Sequence, residues 1–112
     1  MVSKLVVHVP HASTVIPDDA WTEFLVSRQE IEAEALASAD IYTDEMARQA
    51  WPNARIVEAE VSRIVVDVER YDDDSREEMS EVGRGVMYTC DHLMRPIRRP
   101  MIGSRREELL ER

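Results

Sequence analysis

The sequence has little cysteine, few basic residues and no long apolar run. Its single cysteine, Cys90, excludes an internal disulfide framework and fits a reducing compartment; we expect it to be a small buried hydrophobe on a strand rather than a nucleophile. No apolar run approaches the ~20 residues that span a membrane, and the N-terminus lacks the basic start and apolar stretch of a signal peptide. These absences predict a cytoplasmic protein that does not cross a membrane.

Basic residues are outnumbered by acidic ones. Fourteen Lys and Arg stand against 23 Asp and Glu, which gives a formal net charge of −9 at pH 7. This surplus of negative charge repels phosphate backbones and anionic lipid surfaces, so neither nucleic acid nor a membrane is an expected partner. The 112 residues, 44% of them apolar, are enough for one folded domain. We therefore expect residues 1–112 to form a single domain or the N-terminal part of one.

Strand-like and helical segments alternate along the chain. The apolar run KLVVHV at 4–9, closed by Pro10, predicts a parallel strand covered on both faces. Further strands are predicted within 54–61, over 63–69 and over 86–90, and helices over 17–27, 28–39, 41–51 and 104–112. This alternation predicts an α/β layered fold, in which ligands gather beyond the carboxyl ends of the strands.

His11 follows the first strand directly. It lies in a short turn with Ser13, Thr14 and two prolines, and a rigid turn of this kind suits a metal ligand. An imidazole binds a metal through one ring nitrogen while a backbone or carboxylate acceptor fixes the other. A capping or surface role is the commoner one for a lone histidine in a polar turn, and the sequence leaves both interpretations open.

Asp40 and Asp44 are the second feature. Asp40 is predicted to be the N-cap of the helix over 41–51, which puts Asp44 one turn further along the same face. Like charges at this spacing cost about 0.2–0.5 kcal/mol, so something should offset them. One interpretation is the helix dipole, which the local pattern favours. The other is a cation held between one of these carboxylates and His11, since zinc accepts imidazole and carboxylate together.

Charged residues interrupt the strand-like run SRIVVDVER at 62–70. Arg63 and Asp67 share a strand face but are predicted to lie too far apart for direct contact, so each needs a partner elsewhere. Arg70, at the carboxyl end, could present a planar fork of donors to a substrate carboxylate. The alternative is a structural ion-pair network with acidic side chains of the neighbouring helix or loop, which the residues alone slightly favour.

The order of these features is more specific than any one of them. The segments VPHASTVIP, DIYTDEMA, VSRIVVDVER and GVMYT resemble, in this order, the N-terminal part of the N-formylglutamate amidohydrolase family, over essentially the whole chain. The resemblance implies a three-layer αβα fold with a mixed, mostly parallel sheet, like that of zinc carboxypeptidases and here truncated. It also implies hydrolysis of an amide next to a small acidic amino acid, with formate and glutamate as products in the histidine-degradation member.

The resemblance also implies roles for particular residues. His11 matches the family's histidine after the first strand, a candidate zinc ligand, and either Asp40 or Asp44 would supply a carboxylate ligand. The implied cofactor is therefore Zn²⁺, which would lower the pKa of a bound water toward about 7 and stabilise the developing oxyanion. No catalytic acid or base is assigned.

The implied substrate-binding residues are Arg70, Arg63 and Ser13. Arg70 matches an arginine that grips the substrate carboxylate in related metallohydrolases, and Arg63 is a second clamp or a support. In those enzymes an asparagine precedes the gripping arginine, whereas this chain has Glu69. This departure leaves the nature of the bound group open.

The leading hypothesis is a zinc-dependent amidohydrolase that acts on a small-molecule N-acyl amino acid. Family members continue into a second half with a further histidine, in an Asp-Cys-His-Ser-like stretch that this chain lacks. The chain is therefore expected to be a fragment, a reduced relative or a subunit completed by a partner. The alternatives are a non-catalytic module that binds carboxylate ligands or proteins, and a homo-oligomer formed through a half-covered sheet.

Overall fold

Two short parallel strands lie side by side near the candidate site. The computed structural model describes residues 5–111, in which β1 (Val6–Val9) pairs with β2 (Arg55–Glu58) in register from Val6 with Arg55 to Val9 with Glu58. The connection between them is long and helical, as a parallel pair requires. The predicted first strand and its parallel pairing are confirmed, although Lys4, at its predicted start, lies outside the described residues.

Within residues 5–111, three α-helices accompany the sheet. They are α1 (Arg28–Ser38), α2 (Thr43–Ala50) and α3 (Gly103–Leu110), with short 3-10 helices at Asp18–Glu23, Asp74–Arg76 and Glu78–Val82. The side chain of Ser27 caps α1 by accepting a hydrogen bond from the Glu30 N–H, and α2 ends before Trp51-Pro52, as predicted. None of the helices within residues 5–111 is long and apolar enough to cross a membrane.

The run at 62–70 is not a strand, which corrects the sequence prediction. Its polar side chains bond to nearby backbone instead: Ser62 Oγ accepts from the Ile64 N–H at 3.3 Å, and Asp67 Oδ1 accepts from the Glu69 N–H at 3.0 Å. Such local bonds compete with a strand ladder and favour turns. The apolar residues between them, including Val65, are nevertheless fully buried, which explains why the run is so hydrophobic.

The segment 86–90 is also not a strand. Val86 and Tyr88 are buried, but among the described residues only an isolated antiparallel bridge, between Cys90 and Pro96, forms here. Gly83 turns the chain just before it, with φ of +73°. Cys90 is a free, half-buried thiol rather than the fully buried strand residue that the sequence predicted.

Asp40 is not the N-cap of α2. The cap position is Tyr42, and Asp40 lies outside the helix, where its carbonyl accepts from the Thr43 hydroxyl at 2.7 Å. The Asp40 N–H donates to the His11 carbonyl at 2.7 Å, which fixes the segment to the first loop instead of the helix. Asp40 and Asp44 therefore do not share a face of α2, which removes the basis for the expected like-charge repulsion along that helix.

The core lies between α1, the buried run 64–66 and the buried segment 86–88. Ile31 and Ala35 of α1 are buried there, whereas Leu36 is 60% exposed. The prediction that β1 is covered on both faces is wrong for the described residues, since Val6 is 59% exposed and its strand has one neighbour. The α/β class is confirmed, and the three-layer order with a larger mixed sheet stays a prediction.

Candidate active site

A single buried carboxylate is the centre of the site. Asp67 is completely shielded from solvent and accepts hydrogen bonds from four groups. Its Oδ1 lies 2.7 Å from His11 Nε2 and 3.0 Å from the Glu69 N–H, and its Oδ2 lies 2.7 Å from the Tyr88 hydroxyl and 3.1 Å from Arg63 Nη2. Four donor groups on one carboxylate compensate for its removal from water.

Three distant segments meet at Asp67. His11 comes from the loop that follows β1, Asp67 from the turns after the buried run, and Tyr88 from the buried segment 86–88. The Asp67 N–H donates to the Val86 carbonyl at 2.6 Å, which joins the second and third segments directly. The Asp40 N–H bond to the His11 carbonyl then ties the first loop to the start of α2.

The charge states of this cluster follow from its geometry. Burial alone would raise the pKa of Asp67, but hydrogen bonds from Tyr88, the Glu69 N–H and His11 outweigh it and lower the pKa below its usual value. Burial and the neighbouring Asp67 carboxylate raise the pKa of Tyr88. Burial would lower the pKa of Arg63, yet Tyr88 and Asp67 raise it overall. At neutral pH Asp67 is therefore ionised, and Arg63 and Tyr88 keep their protons.

His11 is held between two carboxylates. Because an ionised carboxylate can only accept, His11 Nε2 carries the proton that bonds to Asp67. The other ring nitrogen, Nδ1, faces Asp40, whose Oδ2 lies 3.8 Å away. Asp40 is 58% exposed at its side chain, while the His11 side chain is 9% exposed. A histidine oriented through one nitrogen by a carboxylate is the usual arrangement in metal sites.

His11 and Asp40 fit the chemistry of a zinc site in part. Imidazole nitrogen and carboxylate oxygen are both zinc donors, and a catalytic zinc usually has three protein ligands. Within residues 5–111 no group of three or more His, Cys, Asp and Glu side chains lies close enough to hold a metal ion. The described part of the chain thus supplies two candidate metal ligands that face each other, the His11 imidazole and the Asp40 carboxylate.

Asp44 occupies a different position from Asp40. It lies in the first turn of α2, accepts from the Glu45 N–H at 2.9 Å and lies 3.6 Å from Arg48. This placement agrees with the helix-dipole interpretation. Asp44 and Ser13 line a cavity of about 450 Å³, whereas Asp40 lines a separate one of about 340 Å³. The structure therefore brings Asp40, and not Asp44, to His11.

Both candidate arginines point at the central carboxylate. Arg63 contacts Asp67 directly, which corrects the expectation that the two are too far apart; turns bring residues i and i+4 together where a strand would separate them. Arg70 Nε lies 3.8 Å from Asp67 Oδ2 and donates to the Arg84 carbonyl at 3.1 Å. The side chains of Arg63 and Arg70 are each 18% exposed, so both border the surface.

A comparison with known families gives a match over almost the whole chain. The sequence model described as N-formylglutamate amidohydrolase matches residues 3–112. This chain belongs to the N-formylglutamate amidohydrolase family. No curated protein and no solved structure matches it. The resemblance noted from the four ordered segments is thereby confirmed, and family membership supports an amidohydrolase-type function that acts on amide bonds.

Ser13 has a local role in this amidohydrolase-family chain. Its hydroxyl donates to the Glu60 carbonyl at 2.9 Å and accepts from the Val15 N–H at 3.1 Å. The first of these bonds joins the loop after β1 to the segment after β2, and the second is local to the loop. The predicted substrate contact of Ser13 stays a prediction.

Sequence reasoning missed two residues of the amidohydrolase-family site. Tyr88 was interpreted only as part of a strand, and Asp67 only as a charge that needed a partner. The available signal was the combination of an acidic residue and a tyrosine in two separate, strongly apolar runs. Buried polar groups need partners, so each of these side chains could have been matched with the other.

Proposed function

We propose that this chain carries the metal-binding and carboxylate-recognition part of a zinc-dependent amidohydrolase, with the N-formyl amide of a small acidic amino acid as substrate. The observation that carries the proposal is the position of His11, oriented by buried Asp67 and facing Asp40 at 3.8 Å. Arg63 and Arg70 converge on the same carboxylate. Family membership supports the amide-hydrolysing reaction class.

His11 Nδ1 and the Asp40 carboxylate are the two groups that would hold the zinc ion. When bound, zinc lowers the pKa of a coordinated water to about 7 and polarises a carbonyl oxygen. The protein's own contribution is orientation: Asp67 Oδ1 accepts a hydrogen bond from the His11 Nε2–H, which keeps the proton on Nε2 and orients the ring. A fixed ring loses little freedom when it binds a metal.

Arg70 is the group that would recognise the substrate carboxylate. Its Nε is engaged by the Arg84 carbonyl, so carboxylate binding falls to its Nη atoms. Arg63, which bonds to both Asp67 and Tyr88, serves as a support that keeps the central carboxylate in place. A guanidinium fixed at one edge positions a carboxylate, and with it the scissile amide, at low entropic cost.

A zinc titration tests the metal site. We expect sub-micromolar binding to the wild-type chain between pH 6 and 8. His11→Ala is expected to raise the Kd at least about tenfold, because it removes a ligand. His8→Ala is the matched control, since His8 lies in the same strand-loop segment but pairs with Glu69 at 3.2 Å. Absence of zinc binding throughout this pH range would instead favour a non-catalytic binding module.

Arg70→Lys tests carboxylate recognition. We expect about tenfold weaker binding of L-glutamate, measured by calorimetry, because lysine lacks the planar pair of donors and cannot reproduce the bond to the Arg84 carbonyl with the same geometry. Arg55→Lys is the control, since Arg55 is exposed on β2. If both variants bind glutamate as the wild type does, Arg70 does not belong to the site.

A further inference from the structure

The short loop Gly83-Arg84-Gly85 lies against the candidate site. Gly83 has φ of +73°, and its carbonyl accepts from the Thr89 N–H at 2.8 Å and the Cys90 N–H at 3.0 Å. A Cβ at this position would lie 2.5 Å from Cys90 Sγ. The first glycine is therefore firmly placed, and the loop passes close to the segment that carries Tyr88.

The side chain of Arg84 reaches across to α1. Its Nη1 donates to Glu34 Oε1 at 3.1 Å and its Nη2 to Ser38 Oγ at 3.3 Å, while its guanidinium carbon lies 4.2 Å from the ring centroid of Tyr88. Glu34 is 6% exposed at its side chain and also accepts from the His92 N–H at 2.8 Å. Arg84 is thus bound at its charged end and stacked along its plane.

Glu34 is a charged anchor for this arginine. Burial would raise the pKa of Glu34, but hydrogen bonds from His92 and from Arg84 outweigh it and lower the pKa below its usual value. The carboxylate is ionised at neutral pH and forms a mostly buried ion pair with Arg84. Truncating one partner of such a pair leaves the other charge uncompensated, so the two act as a unit.

The backbone of Arg84 contacts the other side of the site. Its carbonyl accepts the hydrogen bond from Arg70 Nε at 3.1 Å. The Arg84 N–H is held at 2.9 Å by a carbonyl of the preceding 3-10 helix, whereas the residue on the carbonyl side is a glycine, which readily adopts both signs of φ, so the backbone fixes the direction of this carbonyl only from one side. The contacts of the Arg84 side chain with Glu34 and Tyr88 supply the remaining constraint.

We propose that Arg84, anchored by Glu34, is a positioning residue for carboxylate recognition: its carbonyl holds the Arg70 guanidinium and its side chain holds the Tyr88 ring. The proposal rests on the proposed function, in which Arg70 binds the substrate carboxylate. Arg84 itself does not contact the substrate. A purely structural ion pair would stabilise the fold without controlling the Arg70 hydrogen bond, and this difference can be measured.

The test uses Arg84→Met, which keeps the backbone carbonyl and removes the guanidinium. Hydrogen exchange of the Arg70 Nε–H, followed by NMR, is expected to become about tenfold faster, as for a hydrogen bond that opens locally. The Arg105 Nε–H, bound to Glu23 at 2.5 Å in a separate cluster, is expected to keep its wild-type exchange rate. The Kd for L-glutamate is expected to rise about tenfold, since a misplaced binding group loses its alignment.

Arg28→Met is the matched control. Arg28 also stacks on an aromatic ring, that of Trp21 at 4.3 Å, and pairs with Glu32 at 3.2 Å. Its loss should change neither Arg70 exchange nor glutamate affinity.

The outcomes separate a positioning role for Arg84 from a purely structural one. Unchanged Arg70 exchange in Arg84→Met overturns the proposal, and so does equal acceleration at Arg70 and Arg105, which would report a general loss of stability. If Arg84→Met does not fold, Arg84→Lys decides by the same measurement, because lysine keeps the charge toward Glu34 without the planar stack. If the wild type does not bind glutamate, the proposed function fails, while Arg70 exchange still decides whether Arg84 positions Arg70.

Discussion

Replacing Asp67 with alanine is expected to lower the free energy of unfolding by about 3–5 kcal/mol, the range for breaking a buried charged network from one side. The variant removes the shared acceptor of the cluster and leaves three side chains, those of His11, Arg63 and Tyr88, without their common partner. Arg63 would keep its charge in a mostly buried position. Urea denaturation followed by circular dichroism measures the loss.

Asp72→Ala is the control for Asp67→Ala. Asp72 is exposed, and a surface substitution of this kind changes stability by about 0.5 kcal/mol or less. A loss for Asp67→Ala within that range would contradict the central role of the carboxylate.

The pH dependence of stability gives an independent check on Asp67. The folded-state pKa of Asp67 is lowered from a usual value of 3.8, so its ionised form binds its partners more strongly in the folded than in the unfolded state. The stabilisation of the fold by ionised Asp67 is fully present above the unfolded-state pKa. It is lost as the pH falls through the lower folded-state pKa. The wild type should therefore lose more stability than Asp67→Asn when the pH is lowered below the usual carboxylate pKa.

Replacing Arg98 with alanine is expected to lower the free energy of unfolding by about 3–5 kcal/mol. The substitution leaves buried hydrogen-bond acceptors without a donor and removes a well-packed side chain from the core. Arg98 is 2% exposed, and its Nη1 donates to the carbonyls of Ile64 and Val65 at 3.0 and 2.8 Å. Its Nη2 donates to Glu23 at 3.3 Å. These carbonyls belong to the buried run just before Asp67, which has no strand ladder to bond them.

Two matched variants make the Arg98 measurement decisive. Arg99→Ala removes the next arginine along the chain, which is exposed and donates to the Thr22 carbonyl, and it should cost far less. Arg98→Lys keeps the charge, but a single ammonium cannot span both carbonyls and Glu23, so an intermediate loss is expected. Equal urea midpoints for Arg98→Ala and Arg99→Ala would show that the run at 64–65 does not depend on Arg98.

Local patterns predicted two strands and three α-helices correctly, but the strands predicted over 63–69 and 86–90 are absent, and the helix predicted over 17–27 is only the 3-10 helix Asp18–Glu23. The apolar run closed by Pro10 is a parallel strand as predicted, and the long helical connection between β1 and β2 is consistent with their parallel pairing. The run 62–70 was misassigned because its apolar content indicates burial, and burial alone does not require a strand. Ser62 and Asp67 bond to neighbouring backbone N–H groups, and this local chemistry decided the conformation.

The candidate site was predictable in part. The hypothesis of a cation between His11 and one of two carboxylates left Asp40 and Asp44 open, and in the structure Asp40 Oδ2 lies 3.8 Å from His11 Nδ1. The bonds of Asp67 to His11 and Tyr88, and the reach of Arg84 to Glu34, join residues more than twenty positions apart. Pairings of this kind depend on how segments pack, and no local periodicity in the sequence encodes them.

The shared carboxylate has a consequence for engineering. Because Asp67 both orients His11 and holds Arg63 and Tyr88 in the core, changes at these positions alter folding and ligand recognition together. A mutant library at these four positions would yield mostly insoluble variants before it sampled new specificities. Selection for altered substrates would therefore start best from a background already stabilised at remote surface sites.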